Sequence, residues 1–230
     1  MAVFLLSSCA ARISGRLDSA GTGNFSVNIG LMPKFSGIIN HFQLFARDYG
    51  SPLLDGPVIA ASLARAPGIA AATLRNTSPS VIEGTVNVSK INDFLASTSA
   101  AGFIHFRQGP SGQGGRCSIN LSREMGPELL SLLSPEIFDF LDSLLAAPIA
   151  TGEAMTKAEY LENIDGLASF FKTNFTDELV ASSLQVYIDF PGTIHSIKNG
   201  TSNGRRAEFE IPLIDLLVLE TPLSYEVEWR

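Results

Sequence analysis

Few side chains of this chain have the type and spacing that covalent or metal chemistry requires. Its two cysteines, Cys9 and Cys117, and three histidines, His41, His105 and His195, lie far apart. No pair of histidines has the short spacing of a metal site, and neither a Gly-x-Ser-x-Gly elbow nor a His-Glu-x-x-His sequence accompanies them. The loop Gly109-Pro110-Ser111-Gly112-Gln113-Gly114-Gly115 lacks the lysine and hydroxyl that a phosphate cradle needs, and reads as a flexible tip. Glu208 and Glu210 share a strand face, but acids alternating along a strand mark its wet side. Asp215, inside the apolar stretch 211–219, reads as a cap or turn residue. These residues assign no catalytic group, no metal and no cofactor.

Cys9 has more context. It follows Val3-Phe4-Leu5-Leu6-Ser7-Ser8 and precedes Ala10-Ala11. Leu-Ser-Ser-Cys resembles the bacterial lipobox, at which a precursor is diacylated on the thiol and cut just before the cysteine. A complete signal has a basic start and an apolar stretch of about 7 to 15 residues, whereas Arg12 is the first basic residue here. The reading is a truncated signal over residues 1–9, a lipidation site at Cys9 in the full-length precursor, and one domain over residues 10–230. The alternative is that residues 3–6 open a strand and Cys9 is a small buried side chain.

Composition bounds the class. The chain has 230 residues, 45% hydrophobic and 17% charged, with a formal net charge of −7. A chain this long and apolar buries a substantial core and is not disordered. The acidity excludes nucleic acid as a partner, because phosphate binding concentrates Lys and Arg. No run after Cys9 reaches the roughly 18 apolar residues that cross a bilayer, so membrane attachment needs an anchor or interfacial helices. Six Asn-x-Ser/Thr triplets, at Asn24, Asn76, Asn87, Asn120, Asn174 and Asn199, would matter in a secreted glycoprotein, the second localisation considered.

The elements that position these residues follow from periodicity. Residues 11–18 and 24–32 alternate around Ser19-Ala20-Gly21-Thr22-Gly23 and predict a hairpin. Phe35, Ile38, Ile39, Phe42, Phe45 and Ala46 recur at helical spacing over 34–49. A short helix is expected over 58–66, strands over 69–76 and 81–88, a helical turn over 91–96, and a second hairpin from 103–107 and 116–122. Alternation places Cys117, Ile119 and Leu121 on one strand face, with Cys117 as apolar filler. Thr156-Lys157-Ala158-Glu159 fits a capping box, and Thr176-Asp177-Glu178 reads as a further cap. Strands are expected over 184–190, 193–197, 206–211 and 223–229, with Asn199-Gly200 as a hairpin turn. The fold class is α+β: an antiparallel β-sheet with several amphipathic helices packed on it.

The stretch 127–150 is rich in Leu, Ile and Phe and carries no Lys or Arg. Ser134-Pro135-Glu136 predicts a fresh helix start, with an N-cap serine, a proline pre-set for the first position, and an acid at the positive end of the dipole. Ile137, Phe138, Leu141, Leu144 and Leu145 form its apolar face, widened by Phe140, and Phe171 belongs to the inner face of the next helix. These are the lipid or membrane contact candidates. Burying such side chains yields roughly 1.5 to 3 kcal/mol each, whether the partner is a core or a bilayer. The polar face carries aspartates, so attraction to anionic lipid is no part of the drive.

The last third carries Val186-Tyr187-Ile188-Asp189-Phe190-Pro191-Gly192, then Asn199-Gly200-Thr201, the run 211–219, and a closing Tyr225-Glu226-Val227-Glu228-Trp229. With Gly152-Glu153 through Glu159-Tyr160-Leu161, this pattern resembles the C-terminal part of spirochaetal, treponemal-type outer-membrane-associated lipoproteins. The Phe-Pro-Gly strand and Asn-Gly turn are more loosely similar to actinobacterial membrane-anchored lipoproteins of the LppM type. The resemblance implies acylation at Cys9 with palmitate, lipid contact through residues 134–147, and a place on the periplasmic side of the outer membrane. The function expected is a non-enzymatic role with a lipid or membrane surface as partner, met through the amphipathic helices or an apolar cavity. The competing expectation is an envelope assembly module with a packed core and a protein partner.

Overall fold

The first alternating segment folds as read: β1 (Cys9–Leu17) and β2 (Gly23–Gly30) pair antiparallel, from Ala11 against Ile29 to Leu17 against Gly23. The computed structural model describes residues 9–43, 55–109, 114–130, 142 and 145–230. Asp18 ties the connecting loop by accepting from the backbone N–H groups of Ala20 (2.8 Å) and Thr22 (3.0 Å), and from the Thr22 hydroxyl. That hydroxyl is the main reason its carboxyl sits below the usual carboxylate range. A lowered native pKa stabilises the fold fully above the unfolded value and loses that contribution as pH falls through the native one. Asp18→Ala is therefore expected to lower the urea midpoint at pH 7. The gap to the parent should close towards about pH 2, and a gap that persists there would contradict the role given to the carboxylate.

The hairpin of β3 (Ile69–Ser78) and β4 (Val81–Val88) joins β2 through β4, and α2 (Gly56–Leu63) packs on β3. Before it comes α1 (Pro33–Gln43). On the other side of β1 lies β7 (Ser183–Asp189), running parallel to it from Cys9 against Ser183 to Arg16 against Asp189. β10 (Arg206–Pro212) and β9 (Thr201–Asn203) complete a seven-stranded sheet of order β3-β4-β2-β1-β7-β10-β9. A second sheet has the order β5-β6-β11-β8, from β5 (Ile104–Gln108), β6 (Gly115–Leu121), β11 (Leu223–Trp229) and β8 (Ile194–Lys198). The α+β class with antiparallel pairing and packed helices holds, the strands being divided between two sheets with one parallel pair, β1 with β7.

Helical pieces fill the connections: α3 (Ile91–Ser97), α4 (Gly126–Leu130), α5 (Pro148–Thr151), α6 (Lys157–Phe170), α7 (Thr176–Ala181) and α8 (Leu213–Val218). α6 begins with the predicted capping box: Thr156 accepts from the Glu159 N–H, and the Glu159 carboxylate accepts from the Thr156 N–H. Tyr160, Ile164 and Ala168 recur along its buried face, as helical spacing requires. The main core runs from Leu17 and Phe35 through these residues to Phe209, Val218 and Trp229, and a smaller one gathers Ala60, Leu74 and Ile82 beneath α2.

Three local expectations change. Asn199-Gly200 closes no hairpin but carries the chain from β8 in one sheet to β9 in the other; Asn199, at φ 57°, donates to the Ser224 carbonyl. The hairpin turn lies at Gly204-Arg205, with Gly204 at φ 62°, the first central position that type II′ turns give to glycine. Thr176 caps nothing: it is buried within the first turn of α7, whose cap position is Phe175 without a side-chain bond. Asp215 is neither cap nor turn but pairs with Lys157 at 2.8 Å across α8 and α6.

Candidate functional site

The structure separates the sites read from sequence. Cys9 opens β1, opposite Ser183 at the start of β7. Ile137, Phe138, Phe140, Leu141 and Leu144 lie outside the described residues, as does the Ser134-Pro135-Glu136 cap. Leu145 is buried in the main core. Phe171 is half-buried against that core, its ring edge-on to Phe170 at 5.1 Å, and Phe170 is 79% exposed. Cys117 is half-buried opposite Phe106 and Val227, and burial pushes its thiol up to about 12. It stays protonated at neutral pH and is a poor nucleophile. Among the described residues, no three His, Cys, Asp or Glu side chains are grouped to hold a metal, and no helix is long and apolar enough to cross a membrane.

A surface that the sequence reading passed over lies on the outer face of the larger sheet. The inner face carries Ile13, Val27, Val186 and Phe209 in register. Alternation therefore sends Arg12, Ser14 and Arg16 of β1 outward. Register aligns them with their neighbours. Ser14 stands beside Ser26 and Tyr187, and Ser26 beside Thr85. Arg12 stands beside Asn28 and Gln185, and Arg16 beside Asn24 and Asp189. The result is a row of short hydroxyls flanked on both sides by long planar side chains. An open depression of about 670 Å³ lies over Arg12, Ser14, Arg16, Ser26, Tyr187 and Arg206. It continues into one of about 370 Å³ over Ser26, Asn28, Arg75, Glu83 and Thr85.

Hydrogen bonds hold much of this face in place. Arg12 donates through Nη2 (2.8 Å) and Nε (3.3 Å) to Gln185 Oε1, and its guanidinium lies 5.4 Å from the centre of the Tyr187 ring. Tyr187 donates to the same Gln185 oxygen at 3.2 Å. Arg206 binds Asp189 through Nε (2.9 Å) and Nη2 (3.0 Å), and this holds the Asp189 carboxyl below the usual range. Asn28 donates to Glu83 at 2.9 Å, and Asn24 to Asn87. Glu208 and Glu210 stand on the same face beside Tyr187 and Gln185, with Glu210 accepting from Ser183 at 3.0 Å. Among the described residues the Arg16 guanidinium has no hydrogen-bond or ion-pair partner. Such a surface can bind a polar ligand.

The signal for this site is faint in the sequence. Outward polar residues on β1 and β2 read as an ordinary wet face, and the pairing of β1 with β7 joins segments far apart in the chain. The trace left is the choice of side chain: hydroxyls at Ser14 and Ser26, and arginine rather than lysine at 12, 16, 75 and 206.

No family model and no curated protein matches the chain. Among solved structures it is similar to the NMR structure of the folded domain of Mycobacterium tuberculosis LppM, at 9% identity and a TM-score of 0.39, over 100% of this chain and 95% of that one. Likeness at that level establishes neither a shared fold nor a shared function, and the spirochaetal resemblance gains no support from any comparison.

Proposed function

We propose that this chain is a non-enzymatic, lipid-anchored protein of the bacterial cell envelope, acylated on Cys9 and held on the periplasmic side of the outer membrane. The observation that carries this reading is the meeting of motif and fold at one residue. Leu-Ser-Ser-Cys ends where β1 begins, so a cut before Cys9 leaves the pairing of β1 with β2 and β7 whole. The acyl chains would leave from the end of the larger sheet that also bears Ser183. Single acyl chains hold proteins only reversibly, so the diacyl group is what makes attachment stable. The residues from Ile137 to Leu144 would add apolar contact, whereas Leu145 is taken up by the core, and the exposed Phe170 ring beside Phe171 supports such a contact.

The test is vesicle flotation of the full-length precursor product from a bacterial host fed labelled palmitate. The parent is expected to carry label and float, and Cys9→Ser to lose the label. Residual flotation of the unlabelled variant would assign the remainder to the apolar helices, and complete loss would assign all of it to the anchor. A parent without label would end the reading. The burial of Leu145 and the half-burial of Phe171 favour a second reading, an assembly module with a packed interior and a protein partner. That module would behave alike with and without Cys9.

A further inference from the structure

We propose that the outer face of the seven-stranded sheet is a binding groove for an acidic oligosaccharide. This goes beyond membrane anchoring and does not depend on it. The floor is the row of Thr85, Ser26 and Ser14, closed at one end by Tyr187. Hydroxyls this short leave the space above them open. Two residues further along each strand, about 7 Å away, stand Arg12 and Glu83 on one side and Arg16 and Asp189 on the other. The walls are therefore about 13 Å apart, and the floor crosses three strand spacings, or about 14 Å. A trough of that shape suits a short chain of rings lying across the strands better than a lone ion.

Chemistry selects the class. The groove is lined by four arginines, at 12, 16, 75 and 206, and two carboxylates, Asp189 and Glu83, on a chain whose net charge is −7. Within the lining the sign is opposite to that of the whole, Glu208 and Glu210 standing outside it on β10 beyond Tyr187 and Gln185, and this favours an anionic partner towards β1 and β2. Guanidinium forks match carboxylate, sulfate or phosphate groups in two-point geometry. Between them, serine and threonine hydroxyls and the amides of Asn24 and Asn28 offer both donors and acceptors, as sugar hydroxyls require. Of the lining side chains only Val27 and the Tyr187 ring are apolar. Arg12 is tied to Gln185 and Arg206 to Asp189 before any ligand arrives, so little ordering is left to be done on binding. Arg16, between Asn24 and Asp189, and Arg75, beside Glu83, have no hydrogen-bond or ion-pair partner among the described residues and are the donors left for acidic groups, with Arg16 the one at the centre of the sheet.

Calorimetric titration of the full chain carrying Cys9→Ser, at low salt, compares three probes: tetragalacturonic acid, maltotetraose and tetraglutamate. Tetragalacturonate is expected to bind, more weakly as salt rises, and the other two at least about tenfold less well. Arg16→Gln should weaken it by at least about tenfold, and Ser26→Tyr, which fills the floor, should abolish it, with melting temperature unchanged in both. Equal binding of tetraglutamate would reduce the groove to a charge patch and overturn the proposal. Equal binding of maltotetraose would remove the acidic group from it. No heat with tetragalacturonate at millimolar concentration would end it.

Discussion

Trp229→Ala is expected to destabilise the protein by about 3 to 5 kcal/mol, the range for removing a large aromatic side chain from a closed core. Trp229 is 2% exposed and stacks on Phe190 at 4.7 Å and on Phe106 at 5.6 Å. Phe190 directly follows β7 of the larger sheet, and Phe106 belongs to β5 of the smaller one. The ring is thus the joint between the two sheets, not simply a filler within one of them. Its loss empties space lined by two other rings, which are themselves 1% and 6% exposed and have no room to collapse into it. In a chain of 230 residues each kcal/mol moves the melting temperature by roughly 2 to 4 °C, so a drop of about 10 °C is expected. Far-UV circular dichroism is the measurement, because this is the only tryptophan and the variant has lost the fluorescent reporter. Trp229→Phe keeps a ring between the other two and should recover more than half of the loss. A shift under about 3 °C for the alanine variant would show that the sheets are joined elsewhere.

Trp229 also marks where the sequence is legible and where it is not. Its alternation with Val227 and Tyr225 is visible in the chain, and all three are buried as that alternation demands. The same holds for β1 with β2, for β3 with β4, for β5 with β6, and for the Thr156–Glu159 capping box. Each is a local device, fixed by neighbours within a few residues. Periodicity assigns a strand its faces but not its partner. It left the split into two sheets, the parallel pair β1–β7 and the stacking of Trp229 on Phe190 unread. Asn199-Gly200 shows the same limit, because a turn signal does not say whether the strands it joins then pair or part.

The two candidate surfaces divide on the same line. Cys9 is a linear motif and was read from its flanks alone. The groove is assembled from β3, β4, β2, β1, β7 and β10, and each strand contributes only one to three outward residues. No single strand distinguishes that set from a solvated face. Register does so, by placing Ser14, Ser26 and Thr85 side by side.

Gly84→Val should destabilise the protein by about 3 kcal/mol or more, the upper range for forcing volume into a packed site. Strand propensity predicts the opposite sign, since valine is favoured over glycine in strands by up to about 1 kcal/mol. Geometry decides the contest. Gly84 lies in β4 between Val27 of β2 and Leu74 of β3, and a Cβ there would stand 1.9 Å from the Thr73 carbonyl oxygen and 2.8 Å from the Leu74 Cα. Both obstacles are backbone, so no side-chain rotation relieves them, and β3 would have to move away from β4. That movement would pull Leu74 off Ala60 and Ile82 in the small core under α2. It would also shift Arg75 from beside Glu83 and Thr73 from beside Thr85 at the end of the groove. Gly166→Ala supplies the control of opposite sign. Gly166 sits inside α6 with nothing within 4 Å of its missing Cβ, so alanine should stabilise by about 0.5 to 1 kcal/mol through helix propensity alone. Urea midpoints of the two variants should therefore move in opposite directions from the parent. If Gly84→Val instead matched or exceeded the parent, β3 and β4 would not approach as closely as the fold requires, and the β3 end of the groove would have to be redrawn.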